Sequence, residues 1–123
     1  MSRALRIAYV DDDEHLRALV DLALTAGGHE VALFASGPEA IIGVPRFAPD
    51  VLLLDVIMPG MDGHETLRQL RAANPLDGTR IAFVTGMSRA ADQQRCYDDG
   101  AAIIPKPIDP MTLAAQVGAL ASA

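Results

Sequence analysis

Apolar residues fall along this chain in two rhythms: compact blocks of branched side chains, and longer stretches in which leucine and alanine return every three or four positions. The first block, Arg6–Val10, reads as a strand and runs into Asp11-Asp12-Asp13. After it Leu16, Leu19, Val20, Leu22, Ala23 and Leu24 recur at helical spacing until Gly27-Gly28 stops the helix. Residues 29–35 read as a second strand. Ser36 suits a helix cap, Pro38 its first turn, and residues 39–47 its body, which Gly43 and Pro45 weaken. Residues 50–54 form a third strand whose unbroken apolar run fits a sheet covered on both faces. Leu67, Leu70 and Arg71 mark a helix over residues 64–73, ended by Asn74-Pro75. Residues 79–84 give a fourth strand that stops at Thr85-Gly86, and Ser88 suits the cap of a fourth helix closed by Gly100. Residues 101–104 form a short fifth strand before Pro105-Lys106-Pro107, and residues 110–120 the last helix, with Leu113, Val117 and Leu120 on its inner face.

Five strands alternating with five helices predict an α/β fold: a parallel sheet with helices on both faces, joined by right-handed crossovers. No linker, repeat or low-complexity stretch interrupts the pattern, so residues 1–123 are expected to be one domain. No apolar run approaches the ~20 residues of a membrane span, and no hydrophobic signal region follows the first basic residues, which leads to the expectation of a cytoplasmic protein. The lone Cys96 rules out an internal disulfide and reads as a small buried helix residue. A net charge of −6 without clustered Lys or Arg argues against direct nucleic-acid binding and for a protein partner.

The chemistry lies at the strand ends, where an open α/β sheet places its functional groups. Asp11 and Asp12 follow the first strand, Asp55 the third, Thr85 the fourth and Lys106 the fifth. After Asp55, Pro59, Gly60 and Gly63 force an irregular loop. In a parallel sheet these residues meet along one edge. Crowded carboxylates repel one another, and a hard divalent cation with oxygen ligands relieves them; Mg²⁺ fits best. With phosphoryl oxygens held there, Asp55 can attack phosphorus in line, Lys106 can offset the equatorial charge, and the Thr85 hydroxyl can bond the transferred group. Taken singly, each residue has a plainer reading. The acidic triplet is a reasonable helix cap, Thr85 a turn residue, and Lys106 a solvated charge. Their occurrence as a set favours the reactive site. His15, His29 and His64 have no metal-type partner at helical spacing and read as solvated or helix-edge residues, while Tyr9 and Phe83 read as strand core.

On four motifs the chain resembles the receiver domain of two-component response regulators, the family of the bacterial chemotaxis regulator. They are Val10-Asp11-Asp12-Asp13-Glu14, Leu54-Asp55-Val56-Ile57-Met58-Pro59-Gly60-Met61-Asp62-Gly63, Val84-Thr85-Gly86 and Lys106-Pro107. The resemblance spans essentially the whole length. It implies a flavodoxin-like receiver fold with strand order 2-1-3-4-5, Asp55 as phosphoacceptor, and Mg²⁺ held by Asp11, Asp12, Asp55 and the backbone carbonyl of Ile57, with Thr85 and Lys106 on the phosphoryl group. It also implies a phosphorylation-activated switch and not a turnover enzyme. Its partners would be a sensor histidine kinase or phosphotransfer protein, and a downstream protein docked on the fourth helix, fifth strand and fifth helix. Such a chain would be a monomer or a weak phosphorylation-dependent dimer. Three residues before Lys106, where the family usually carries an aromatic, this chain has Ile103. With no output domain in the sequence to Ala123, the expectation is either a stand-alone regulator that works by docking or a piece of a longer protein.

Two other classes share parts of this pattern. An aspartate-nucleophile phosphatase of the haloacid dehalogenase type would use Asp11 and Asp13 with Thr85 and Lys106. Against it, His15 stands where Thr or Val is expected, no acidic pair follows Lys106, and there is no room for a cap domain. A pseudo-receiver serving only for docking would typically lack the acids or the lysine.

Overall fold

The computed structural model describes residues 3–74 and 76–122. Its elements run β1 (Arg6–Val10), α1 (Glu14–Ala26), β2 (Glu30–Phe34), α2 (Gly37–Phe47), β3 (Val51–Asp55), α3 (Gly63–Ala73), β4 (Arg80–Thr85), α4 (Ala90–Asp98), β5 (Ala102–Pro105) and α5 (Leu113–Ser122). The five strands pair in parallel in the order β2-β1-β3-β4-β5, as the resemblance implies. Among the described residues no helix is long and apolar enough to cross a membrane.

Two apolar layers flank the sheet, and strand alternation decides which residue enters which. Ala8, Val10, Leu52, Leu54 and Phe83 face α2, α3 and α4, meeting Val44, Leu67, Leu70 and Cys96. Ile7, Tyr9, Leu53 and Val84 face α1 and α5, meeting Val20, Leu24, Leu113 and Val117. β3 is buried along its whole length, which is why it reads as a continuous apolar run. Leu22 is largely exposed, because it lies on the opposite side of the helix from Val20 and Leu24.

Several boundaries move from their sequence reading. β3 and β4 each shift one residue along the chain, starting at Val51 and Arg80, so Asp55 and Thr85 are themselves the last strand residues. β5 includes Pro105, paired with Thr85 at the sheet edge, and Lys106 N–H donates onward to the Thr85 carbonyl (2.9 Å). The cap of α4 is Arg89 rather than Ser88, and it makes no side-chain cap bond. α5 starts at Leu113, after a turn in which Asp109 Oδ1 accepts from Met111 N–H (2.9 Å). α3 ends at Ala73 with Asn74 as its cap, and Pro75 lies outside the described residues. α2 runs unbroken through Gly43 and Pro45. A Cβ on Gly43 would fall 2.2 Å from the Phe34 ring, so this glycine admits the aromatic side chain of β2.

The loop after Asp55 is closed by Gly63. Its N–H donates to the Val56 carbonyl (2.8 Å), and a Cβ there would stand 2.2 Å from the Asp55 carbonyl oxygen. Because that obstacle is backbone, Gly63→Ala should push α3 off the end of β3 and cost about 1–3 kcal/mol in urea unfolding. Gly118 has nothing within 4 Å of the corresponding position inside α5, so Gly118→Ala should be neutral or stabilise by up to about 1 kcal/mol. Equal effects of the two substitutions would show that α3 does not depend on this close approach.

Candidate functional site

At the carboxyl edge of the sheet the chain brings together the acids that sequence placed at strand ends. Oxygens of Asp11, Asp12 and Asp55 all lie within 4.8 Å of one another. Asp11 and Asp55 are buried because they finish buried strands, whereas Asp12 is exposed at the mouth. Lys106 reaches in from the end of β5, its Nζ 3.0 Å from Asp55 Oδ1 and 3.4 Å from Asp11 Oδ2. The two buried carboxylates thus share one ammonium, with the third beside them. The Lys106–Pro107 bond is cis.

The electrostatics follow from that imbalance. Burial pushes the Asp55 carboxyl up to about 6, helped by the Asp11 charge and opposed by the Lys106 hydrogen bond. Burial works to lower the Lys106 ammonium, but its hydrogen bond to Asp55 and the charges of Asp55 and Asp11 outweigh it, and the net shift is upward. The donors are all hard oxygens, carry two more negative charges than the lysine offsets, and open to solvent at Asp12. Such a set fits a hard divalent cation.

Asp13 does something else. Its side chain caps α1, accepting from His15 N–H (2.9 Å) and Leu16 N–H (3.2 Å). The plain reading of the acidic triplet therefore holds for its third member alone, and Asp13 is not free to partner Asp11 as the phosphatase alternative requires. Asp13 N–H in turn donates to Asp11 Oδ1 (2.9 Å), and Arg17 Nη1 donates to the Asp11 carbonyl (2.8 Å), so the start of α1 grips the end of β1.

Thr85 is buried as the last residue of β4, with its Oγ1 accepting from Met87 N–H (3.1 Å). Ile57 is 69% exposed in the loop after Asp55 and, with Met87, lines a cavity of about 190 Å³ between that loop and α4. A larger hollow of about 690 Å³ lies away from the acids, between Leu5, Gly27, His29 and the length of α5 from Ala114 to Ser122, and is lined by no carboxylate side chain.

Three residues read as bystanders have defined partners. Tyr9 is fully buried, as a core residue should be, yet its hydroxyl donates to Asp11 Oδ2. Burial first, and then that hydrogen bond, push its phenol far up, so it stays a neutral donor. The sequence signal was its place two residues before Asp11, on the same strand face. His64 is not solvated: it is buried, its Nδ1 is 2.6 Å from Asp99 Oδ2, and its ring lies 4.6 Å from that of Phe83. His29 is half-buried and its Nδ1 accepts from Leu5 N–H (3.0 Å), while His15 is exposed as expected.

Comparison with known proteins points the same way. The family model for the response regulator receiver domain matches residues 7–118. Response regulator PleD of Caulobacter vibrioides is 36% identical over 116 residues, 94% of this chain and 26% of that protein. Response regulator MprA of Mycobacterium leprae is 38% identical over 117 residues, 94% of this chain and 50% of that protein. The chain therefore spans a quarter to a half of these curated relatives. The chemotaxis protein CheY4 of Vibrio cholerae superposes with a TM-score of 0.88 at 28% identity, covering 96% of this chain and 99% of that one. A sheet of this order, with its acids and lysine gathered on one edge and a family match running from β1 into α5, places the chain in the response regulator receiver domain family of two-component signalling.

Proposed function

We propose that residues 1–123 form one receiver domain that takes a phosphoryl group on Asp55 with Mg²⁺ bound beside it, and changes its partner-docking face as a result. The observation that carries this reading is the gathering of Asp11, Asp12 and Asp55 at one sheet edge, with the Lys106 ammonium bonded to Asp55 and Asp11. The residues that would hold Mg²⁺ are Asp11, Asp12, Asp55 and the backbone carbonyl of Ile57. When bound, the ion supplies the positive charge that lets an anionic phosphoryl group approach these acids.

The chain's own residues do the rest. A carboxylate oxygen of Asp55 forms the new P–O bond as the donor's P–N bond breaks, and the donor imidazole departs with the electron pair. A carboxyl held up to about 6 is still mostly ionised at neutral pH, so the nucleophile is available. Lys106 orients Asp55 through Oδ1 and then offsets charge on the transferred group. Thr85 turns its hydroxyl to that group, releasing the Met87 N–H it now accepts from. Since Met87 leads into α4, this exchange would carry the change to the face formed by α4, β5 and α5. α4 suits such a role: only Cys96 is buried within it, and its start lacks a side-chain cap. The donor would be a histidine kinase or phosphotransfer protein, and the reader a protein that docks on that face. Because the phosphoryl group ends on the chain's own Asp55, the chain would act as a switch and not as a turnover enzyme.

Incubation with acetyl phosphate and Mg²⁺ should add one phosphoryl group by intact mass, and Asp55→Asn should take up none; uptake by that variant at the wild-type rate would contradict the assignment. Asp12→Ala should weaken Mg²⁺ binding by calorimetry. Lys106→Ala should bind Mg²⁺ at least as tightly as wild type, because the ammonium competes with the cation for the same oxygens, yet phosphorylate poorly. Equal loss of Mg²⁺ affinity in the two variants would contradict these roles.

A pH dependence follows from Asp55. Its folded pKa, about 6, lies above the ordinary carboxyl value near 4, so folding favours its protonated form. Its contribution to stability is greatest in acid and is lost as pH rises through about 6. The metal-free wild type should therefore fall behind Asp55→Asn by about 1–2 kcal/mol in urea unfolding between pH 5 and pH 8, and Mg²⁺ should close the gap. A constant difference across that range would show that Asp55 is not held up by its surroundings.

A further inference from the structure

Side chains on β1 alternate, and residues 7 and 9 enter the apolar layer under α1 and α5, so Asp11, two positions on, emerges on the same side at the strand end. Tyr9 sits in that layer among Val20, Leu53 and Leu113, where a phenylalanine would fill the same space. What the tyrosine adds is one hydroxyl, and it is given to Asp11 Oδ2. The other oxygen, Oδ1, is pinned by Asp13 N–H at 2.9 Å, a donor fixed by the cap of α1.

Lys106 lies between two carboxylates, 3.0 Å from Asp55 and 3.4 Å from Asp11, the latter at the long end of hydrogen bonding. Without the phenol, the ammonium would be the one side-chain donor left to Oδ2 among the described residues. The carboxylate would turn about its pinned oxygen to close on Lys106, drawing the lysine from Asp55 and withdrawing an oxygen from the cation.

We infer that Tyr9 is a positioning residue for the cation site: its buried hydroxyl holds the Asp11 carboxylate turned toward the ion and away from Lys106. The inference rests on the Mg²⁺ reading of Asp11, Asp12 and Asp55 given above. Partners of this kind fix a ligand's orientation, and their loss typically weakens metal binding by about 10- to 100-fold.

The test is Mg²⁺ calorimetry on wild type, Tyr9→Phe, Lys106→Ala and the double variant, with thermal unfolding in EDTA to confirm that each folds. Tyr9→Phe should weaken Mg²⁺ by about tenfold. In the Lys106→Ala background the competing ammonium is gone, and the same substitution should cost less than about threefold. Tyr9→Phe binding as tightly as wild type, or a tenfold loss that persists without the lysine, would overturn the proposal. If the wild type itself does not take up Mg²⁺, the reading of the acids fails and the proposal with it, which the first titration shows by itself.

Should Tyr9→Phe fail to fold, the wild type carries its own probe, because the chain has two tyrosines and no tryptophan. With ¹³C-labelled tyrosine, the Tyr9 Cζ resonance should shift on Mg²⁺ addition with the calorimetric midpoint, while that of the exposed Tyr97 stays put. A Tyr9 resonance that ignores Mg²⁺ would overturn the proposal equally.

Discussion

Three carboxylates are packed onto one edge of a sheet with a single ammonium among them, and the rest of the fold can be read as what makes that tolerable. The strand order makes β1 and β3 hydrogen-bonded neighbours, so Asp11 and Asp55 arrive side by side. Burial of both strands on both faces denies these acids the water that would otherwise separate their charges. The lysine comes from β5, two strand spacings or about 10 Å from β3, a distance its long side chain can span. The compensation is partial: burial, and after it the Asp11 charge, raise the Asp55 carboxyl further than Lys106 lowers it. A site left short of positive charge is what the proposed function requires, since that function brings a divalent cation and then a phosphoryl group to it.

The surroundings of the site differ in how firmly they are held. On the α1 side, Asp13, Arg17 and Tyr9 fasten the end of β1 through backbone and buried donors. On the α4 side the fastening is sparse: one buried cysteine, no N-terminal side-chain cap, and ties at the far end. Those ties come from α3, where His64 meets the Asp99 carboxylate and Arg71 Nη1 donates to the Asp99 carbonyl (2.6 Å). His64 follows Gly63, which is pressed against the Asp55 backbone, so the helix that anchors the end of α4 starts against the strand that ends in Asp55. The proposed switch would act through this difference, with more hydrogen bonds fastening the α1 side of the acids than the α4 side.

Most of the fold was legible because apolar periodicity reports burial directly, and burial on two faces leaves few alternatives to a parallel sheet. The acids and lysine were legible as a set because each follows an apolar block. Division of labour within Asp11-Asp12-Asp13 was not, since capping and ligation use the same side chain and only the direction of the chain at the end of β1 separates them. Tyr9 read as core, correctly, but composition cannot show that its hydroxyl emerges at the layer's edge against a buried acid. His64 has no partner nearby in sequence, and Asp99 lies 35 residues away, a pairing only the packing of α3 beside α4 reveals. The family's usual aromatic before Lys106 is replaced by Ile103, half-buried against the α2–α4 layer.

The charge imbalance can be measured at its centre. In protein labelled with ¹³C at the aspartate side chains, the Asp55 carboxyl resonance followed against pH gives its midpoint with and without Mg²⁺. The account predicts a midpoint near 6 in the metal-free protein and a fall below about 4 at saturating Mg²⁺, as the cation replaces repulsion with attraction. The same midpoint in both conditions would contradict it, because the acids would then be neither short of positive charge nor the place where the cation binds.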